Sequence, residues 1–149
     1  MAVLRGVHRW LPTALVLAAV VGCQSGQQAR ADTVDAHLGE PFVLAGGQQA
    51  VVADTPLRLR FAEVLEDSRC PTLVECAWTG QARISVVVDD GRTIVMEFNT
   101  NPAPEKNRQR IHSGAYAITL QALDPYPTTP QDAPGLSDYR ATLLVTRPQ

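Results

Sequence analysis

Apolar and polar residues alternate with a period of two along most of the chain beyond residue 37, which places successive side chains on opposite faces of a strand. Leu57, Leu59 and Phe61 alternate with Arg58 and Arg60, and the apolar phase then moves to Val64, which predicts a bulge near Ala62 and Glu63. Ala82, Ile84, Val86 and Val88 share one face, with Gln81, Arg83, Ser85 and Asp89 opposite. Asp90-Gly91 follows, a pair suited to a two-residue hairpin turn, so Ile94, Met96 and Phe98 should pair antiparallel with that strand. Tyr116, Ile118, Leu120 and Ala122 form a further alternating run, and Tyr139, Ala141, Leu143 and Val145 the last. Shorter strands are expected at Phe42 to Leu44, Ala50 to Val52 and Gln109 to His112.

No helical period competes with this pattern, so the chain reads as all-β: a single antiparallel β-sandwich of seven or eight strands, immunoglobulin-like or related, with a barrel as the other closure. Gly46-Gly47 reads as a turn. Two stretches resist strand assignment, Asn99 to Asn107 with Pro102 and Pro104, and Asp124 to Ser137 with Pro125, Pro127, Pro130 and Pro134. Such long connections are either functional loops or Pro-rich crossovers between sheets.

The amino terminus breaks the pattern. Arg5, His8 and Arg9 precede an apolar stretch from Trp10 to Val21, and twelve residues of helix reach only about 18 Å against roughly 30 Å of hydrocarbon. A basic start, a short apolar centre and a small residue at the end match an export signal. Residues 1–22 are therefore expected to be removed, 23–36 to be a small, polar tether, and 37–149 to be the domain.

At that boundary Val20-Val21-Gly22-Cys23 resembles the lipobox of bacterial lipoproteins, in which an apolar pair and a small residue precede the lipid-bearing cysteine. The resemblance implies that Cys23 becomes the first residue and carries a diacylglyceryl group on sulfur and an acyl chain on its amine. Two or three chains make such an attachment effectively permanent. Gln24, rather than Asp, implies sorting to the outer membrane of a Gram-negative cell, facing the periplasm or the surface; in a single-membrane bacterium the protein would sit on the outer face of the plasma membrane. The membrane is thus an expected partner, through the lipid.

Composition narrows the picture. The 149 residues are 45% hydrophobic, 19% charged and 5% aromatic, which excludes a disordered polyelectrolyte, a coiled coil and a polytopic membrane protein. Removing residues 1–22 takes away Arg5 and Arg9 and no acid, so 13 basic and 15 acidic side chains become 11 and 15, a formal charge of −4. That balance argues against nucleic acid, since the cluster Lys106, Arg108 and Arg110 beside Glu105 is too small for a phosphate-binding stripe and reads as a solvated loop.

Cys70 and Cys76 are the other two cysteines, and in an oxidising compartment this pair reads as a disulfide closing a small loop. Zinc would need two more ligands, and His37 and His112 are distant in sequence; a redox dithiol favours two intervening residues and a helix amino terminus. The segment Glu66-Asp67-Ser68-Arg69-Cys70-Pro71, followed by Cys76, Trp78 and Gly80, resembles a family of small secreted proteins and lipoproteins of bacteria with no assigned activity, over about fifteen residues. That resemblance implies no ligand or catalytic role.

Physically, Asp67 and Ser68 can bond nearby backbone amides, Arg69 can pair with Glu66 or Asp67, and Trp78 can pack over the disulfide, which makes Glu66, Asp67, Arg69 and Trp78 a candidate binding corner. Glu63, Glu66, Asp67 and Glu75 offer oxygen ligands but lack the spaced Asp loop of a calcium site. Ser68, Ser113 and Ser137 could serve as nucleophiles with His112 or His37, yet none lies in a nucleophile elbow. No catalytic residue, cofactor or metal is expected. The expectation is a binding or structural module of the cell envelope, its partner an envelope protein or small ligand; the alternatives are a protease inhibitor presenting Thr72-Leu73-Val74, and a small-ligand or metal-sequestering module.

Overall fold

The computed structural model describes residues 33–101 and 108–147. The expected signal segment, Cys23, most of the expected tether, Lys106 and Glu105, and Pro102 and Pro104 lie outside the described residues. Among the described residues nine strands run β1 Thr33–Ala36, β2 Pro41–Ala45, β3 Gln49–Val52, β4 Arg58–Asp67, β5 Ala82–Asp89, β6 Thr93–Asn99, β7 Arg110–Ser113, β8 Tyr116–Asp124 and β9 Arg140–Thr146, with one 3-10 turn at Leu136–Asp138. They form two sheets, one ordered β1-β3-β4-β5-β6 and the other β2-β9-β8-β7.

The alternation produces the sandwich directly. Ala82, Ile84, Val86 and Val88 are all fully buried, as are Leu57, Leu59 and Phe61, and across the gap they meet Leu44, Ile118, Leu120, Leu143 and Val145 of the second sheet in one continuous core. Excluding this apolar area from water is what holds the sheets face to face.

Several expectations change in detail. The last four residues of the expected tether are strand β1, which packs through buried Ala36 and partly buried Val34. β1 lies parallel to β3 because the chain crosses to the second sheet as β2 before returning. The hairpin closes with three residues, since Asp89 pairs with Thr93, and Gly91 holds φ of +100° between them. The bulge at Ala62 is present, joined by a second at Leu65. A bulge between Leu120 and Ala122 turns Ala122 outward and brings Leu123 into the core.

Candidate functional site

β4 and β5 separate at one end of the sandwich, where Ser68 N–H donates to the Gln81 carbonyl at 2.7 Å, and the chain between them makes the cysteine loop. Cys70 and Cys76 are joined by a disulfide. Cys70 N–H donates to Thr79 at 3.0 Å, and Val74 N–H donates back to Pro71 at 3.3 Å, which curls the loop into a turn. Gly80 closes the excursion with φ of +68°, its α-carbon so near the Ser68 carbonyl that a Cβ would collide with it. That close approach explains the glycine two residues after Trp78.

Arg69 turns inward beneath the loop and is 7% exposed. Its Nε and Nη2 donate to the two Asp67 carboxylate oxygens at 2.8 and 2.6 Å, a bidentate pair. Nη1 donates to the Leu123 carbonyl at 2.6 Å and Nη2 to that of Pro125 at 2.8 Å, so one guanidinium, carried two residues past the end of β4, fastens the end of β8 in the second sheet. Its Cζ stands over the Tyr126 ring, 4.8 Å from the centroid. The Tyr139 hydroxyl completes the clamp by donating to Asp67 Oδ2 at 3.0 Å. Burial by itself would raise the Asp67 carboxyl, but Arg69 and the Tyr139 hydroxyl outweigh it and hold it below the ordinary value. Tyr139 is pushed up to about 12 by burial and by its bond to that carboxylate.

The expected corner is therefore only partly assembled. Asp67 and Arg69 come together, whereas Glu66, the next residue along the strand, faces the other side. There it accepts from Ser68 at 2.8 Å and from Arg83 at 3.0 Å, and these bonds, with one from Gln81, lower its carboxyl. Arg83 also reaches Glu97 at 3.4 Å. Trp78 does not cap the disulfide: it is 77% exposed and buries little of itself against anything. Leu73 at 71% and Val74 at 39% are exposed on the same loop. Beyond the loop, Thr72 and Leu73 N–H groups donate to Pro127 and Thr128, both at 3.1 Å, which leans the loop on the Pro-rich connection. The Asp132 carboxylate caps that connection by accepting from Thr129 N–H at 2.9 Å. A cleft of about 550 Å³ between Tyr126, Tyr139 and Pro134 opens beside Asp67.

Comparison with protein-family models, with curated proteins and with solved structures finds no match to this chain. The site must be read from its own chemistry. Glu63, Glu66, Asp67 and Glu75 do not converge, and among the described residues no three His, Cys, Asp or Glu side chains gather in a way that could hold a metal ion. Ser113 is buried and donates to Asp90 Oδ2 at 2.8 Å, while His112 points outward from the same strand; Ser68 is engaged by Glu66 and Gln81. Among the described residues no histidine is hydrogen-bonded to a serine. Sequence reasoning missed the partners Leu123, Pro125, Tyr126 and Tyr139, which lie more than fifty residues from Arg69 and carry no periodic signal that would join them to it.

Proposed function

We propose that the protein is a lipid-anchored domain of the bacterial cell envelope that acts by binding, through the end of the sandwich that carries the cysteine loop. The anchor is supported by the basic start, the short apolar centre and the Val20-Val21-Gly22-Cys23 tetrad. With Gln24 after the cysteine, the address is the outer membrane of a Gram-negative cell, or the outer face of the plasma membrane where there is only one. The observation that carries the binding role is the display of Leu73, Val74 and Trp78 on a loop held by a disulfide and by backbone hydrogen bonds. A surface already ordered loses little conformational freedom when it associates. A protease inhibitor would also use exposed residues here, but its loop would be extended, and Pro71 to Val74 instead form a turn.

Intact mass of the protein extracted from membranes tests the anchor: cleavage before Cys23 and the added mass of two or three acyl chains are expected, and globomycin should arrest processing. A chain that begins elsewhere, with no acyl mass, overturns it. A photo-crosslinking residue at Glu75, which is exposed on the loop, should give adducts in intact cells that the same residue at exposed Arg58 does not. Equal labelling at both positions overturns the assignment of binding to this end.

A further inference from the structure

The chain enters the first sheet from the same end that carries the cysteine loop. Thr33 pairs with Gln49, and Gln49 with Arg60; from that level β4 runs on to Asp67 and the loop, while β1 runs the opposite way to Ala36. The Asp67 end lies five residues farther along β5, from Val87 to Ala82, or roughly 17 Å. Residues 23–32 number ten and can span at most about 35 Å. Thr33 stands at the level of Val87, two residues from the hairpin end, but β1 heads away from the loop side, and ten residues are long enough to let the loop touch the surface that holds a lipid at residue 23.

The side chains displayed there suit such a surface. Leu73, Val74 and Trp78 are exposed, and between Pro71 and Gly80 the only charged residue is Glu75. An indole settles at the headgroup level of a bilayer with its apolar body inward, and aliphatic neighbours add buried area. We propose that the Leu73, Val74 and Trp78 loop docks on the bilayer to which Cys23 is attached, so that the domain rests on its membrane at two points. The inference rests on the anchor proposed above. Because the acyl chains keep the loop at high effective concentration near the lipid, a weak apolar contact is enough.

Trp10 and Trp78 are the only tryptophans, so removal of residues 1–22 leaves Trp78 as the sole tryptophan, which can be excited apart from the tyrosines. The full mature protein, its intact mass measured first, is reconstituted on vesicles of phosphatidylethanolamine and phosphatidylglycerol. Trp78 emission should shift to the blue and be quenched by brominated lipids, and both effects should be lost in a Leu73→Asp, Val74→Asp variant that keeps the tryptophan and its fold by circular dichroism. Water-like, unquenched emission from the anchored wild type overturns the proposal. If the mass shows no acyl groups, the anchor reading has failed by itself. Cys23, the thiol outside the disulfide, can then be coupled to a maleimide lipid, and the same quenching still decides whether the loop docks. A photo-crosslinking residue at Leu73 in intact cells should label lipid; labelling of one protein and no lipid would overturn bilayer docking in favour of a protein partner.

Discussion

Each end of the sandwich is tied across the two sheets through one aspartate, and the two ties are built differently. At the loop end Asp67 acts through Arg69, a buried guanidinium that also holds the Leu123 and Pro125 carbonyls and stands over the Tyr126 ring. At the hairpin end Asp90 accepts one bond from Ser113 at the close of β7 and one from Arg92 N–H in its own turn. β5 links them, with Ala82 beside Asp67 and Asp89 beside the turn. An ion pair removed from water is favourable only when all its partners are present, so the first tie is a network whose members fail together. The second is a single bond from a buried hydroxyl to a carboxylate that water also reaches, so water can take its place.

The largest effect should follow from Arg69→Ala. It leaves a carboxylate and two carbonyls beneath the loop without their donor, and a loss of about 3–5 kcal/mol is expected in urea denaturation. Adding Asp67→Ala should cost less than the sum of the single changes, because the orphaned charge is then gone. The acid limb gives a second reading. The Asp67 carboxyl is held low in the native state, so its contribution is complete above the ordinary value of 3.8 and disappears as pH falls through the native value. Without Arg69 only burial and the tyrosine remain, burial raises the carboxyl, and mild acidification should help the variant relative to wild type.

Replacing both Cys70 and Cys76 with serine should cost about 2 kcal/mol, since the loop the disulfide closes is short. The comparison sharpens here, because the Arg69 clamp lies below the disulfide and does not depend on it. Hydrogen exchange should quicken at Thr72 and Leu73, whose amides lean on Pro127 and Thr128, while β4 and β5 keep their protection. Loss of protection throughout both strands would mean that the disulfide, and not the clamp, holds this end.

How far these features could be read from the chain depends on whether they are local. The run Ala82 to Val88 is legible because Ala82, Ile84, Val86 and Val88 recur at every second position and all four are buried, although Ser85, expected on the opposite face, is buried as well. β1 is not, since Thr33-Val34-Asp35-Ala36 contains a single long aliphatic and gains its place by pairing with β3. Ala122 continues the alternation on paper, and a bulge that no composition announces hands its place to Leu123. The Asp67 and Arg69 pair is legible because two residues of separation permit it. Its other members come from β8 and the following loop, and only the packing of the sheets brings them near. Trp78 inverts the usual expectation for an indole, because the loop that carries it projects beyond the core.

Tyr139→Phe removes one hydroxyl from the clamp and leaves the ion pair intact, so about 1 kcal/mol is expected. The pH dependence identifies the bond. Tyr139 ionises near 10 when unfolded and at about 12 in place, so its contribution is full below pH 10 and is lost as pH rises through about 12. The wild type should weaken over that window and the phenylalanine variant should not. Equal alkaline sensitivity in the two would assign the effect to another group.

The smallest change is expected at the other end, from Ser113→Ala. Ser113 is buried, but the carboxylate it serves is open to water, which can take the place of the hydroxyl. The midpoint should move less than it does for Tyr139→Phe. The Ser113 bond is the main reason that the Asp90 carboxyl lies below its ordinary value, with the turn amide of Arg92 helping. Its contribution is therefore present above that value and lost as pH falls through the native one, so the variant should differ from wild type at neutral pH and converge with it in acid. If Ser113→Ala instead proved as costly as Arg69→Ala, the hairpin end would also be a cooperative network, and the contrast between the two ties would fail.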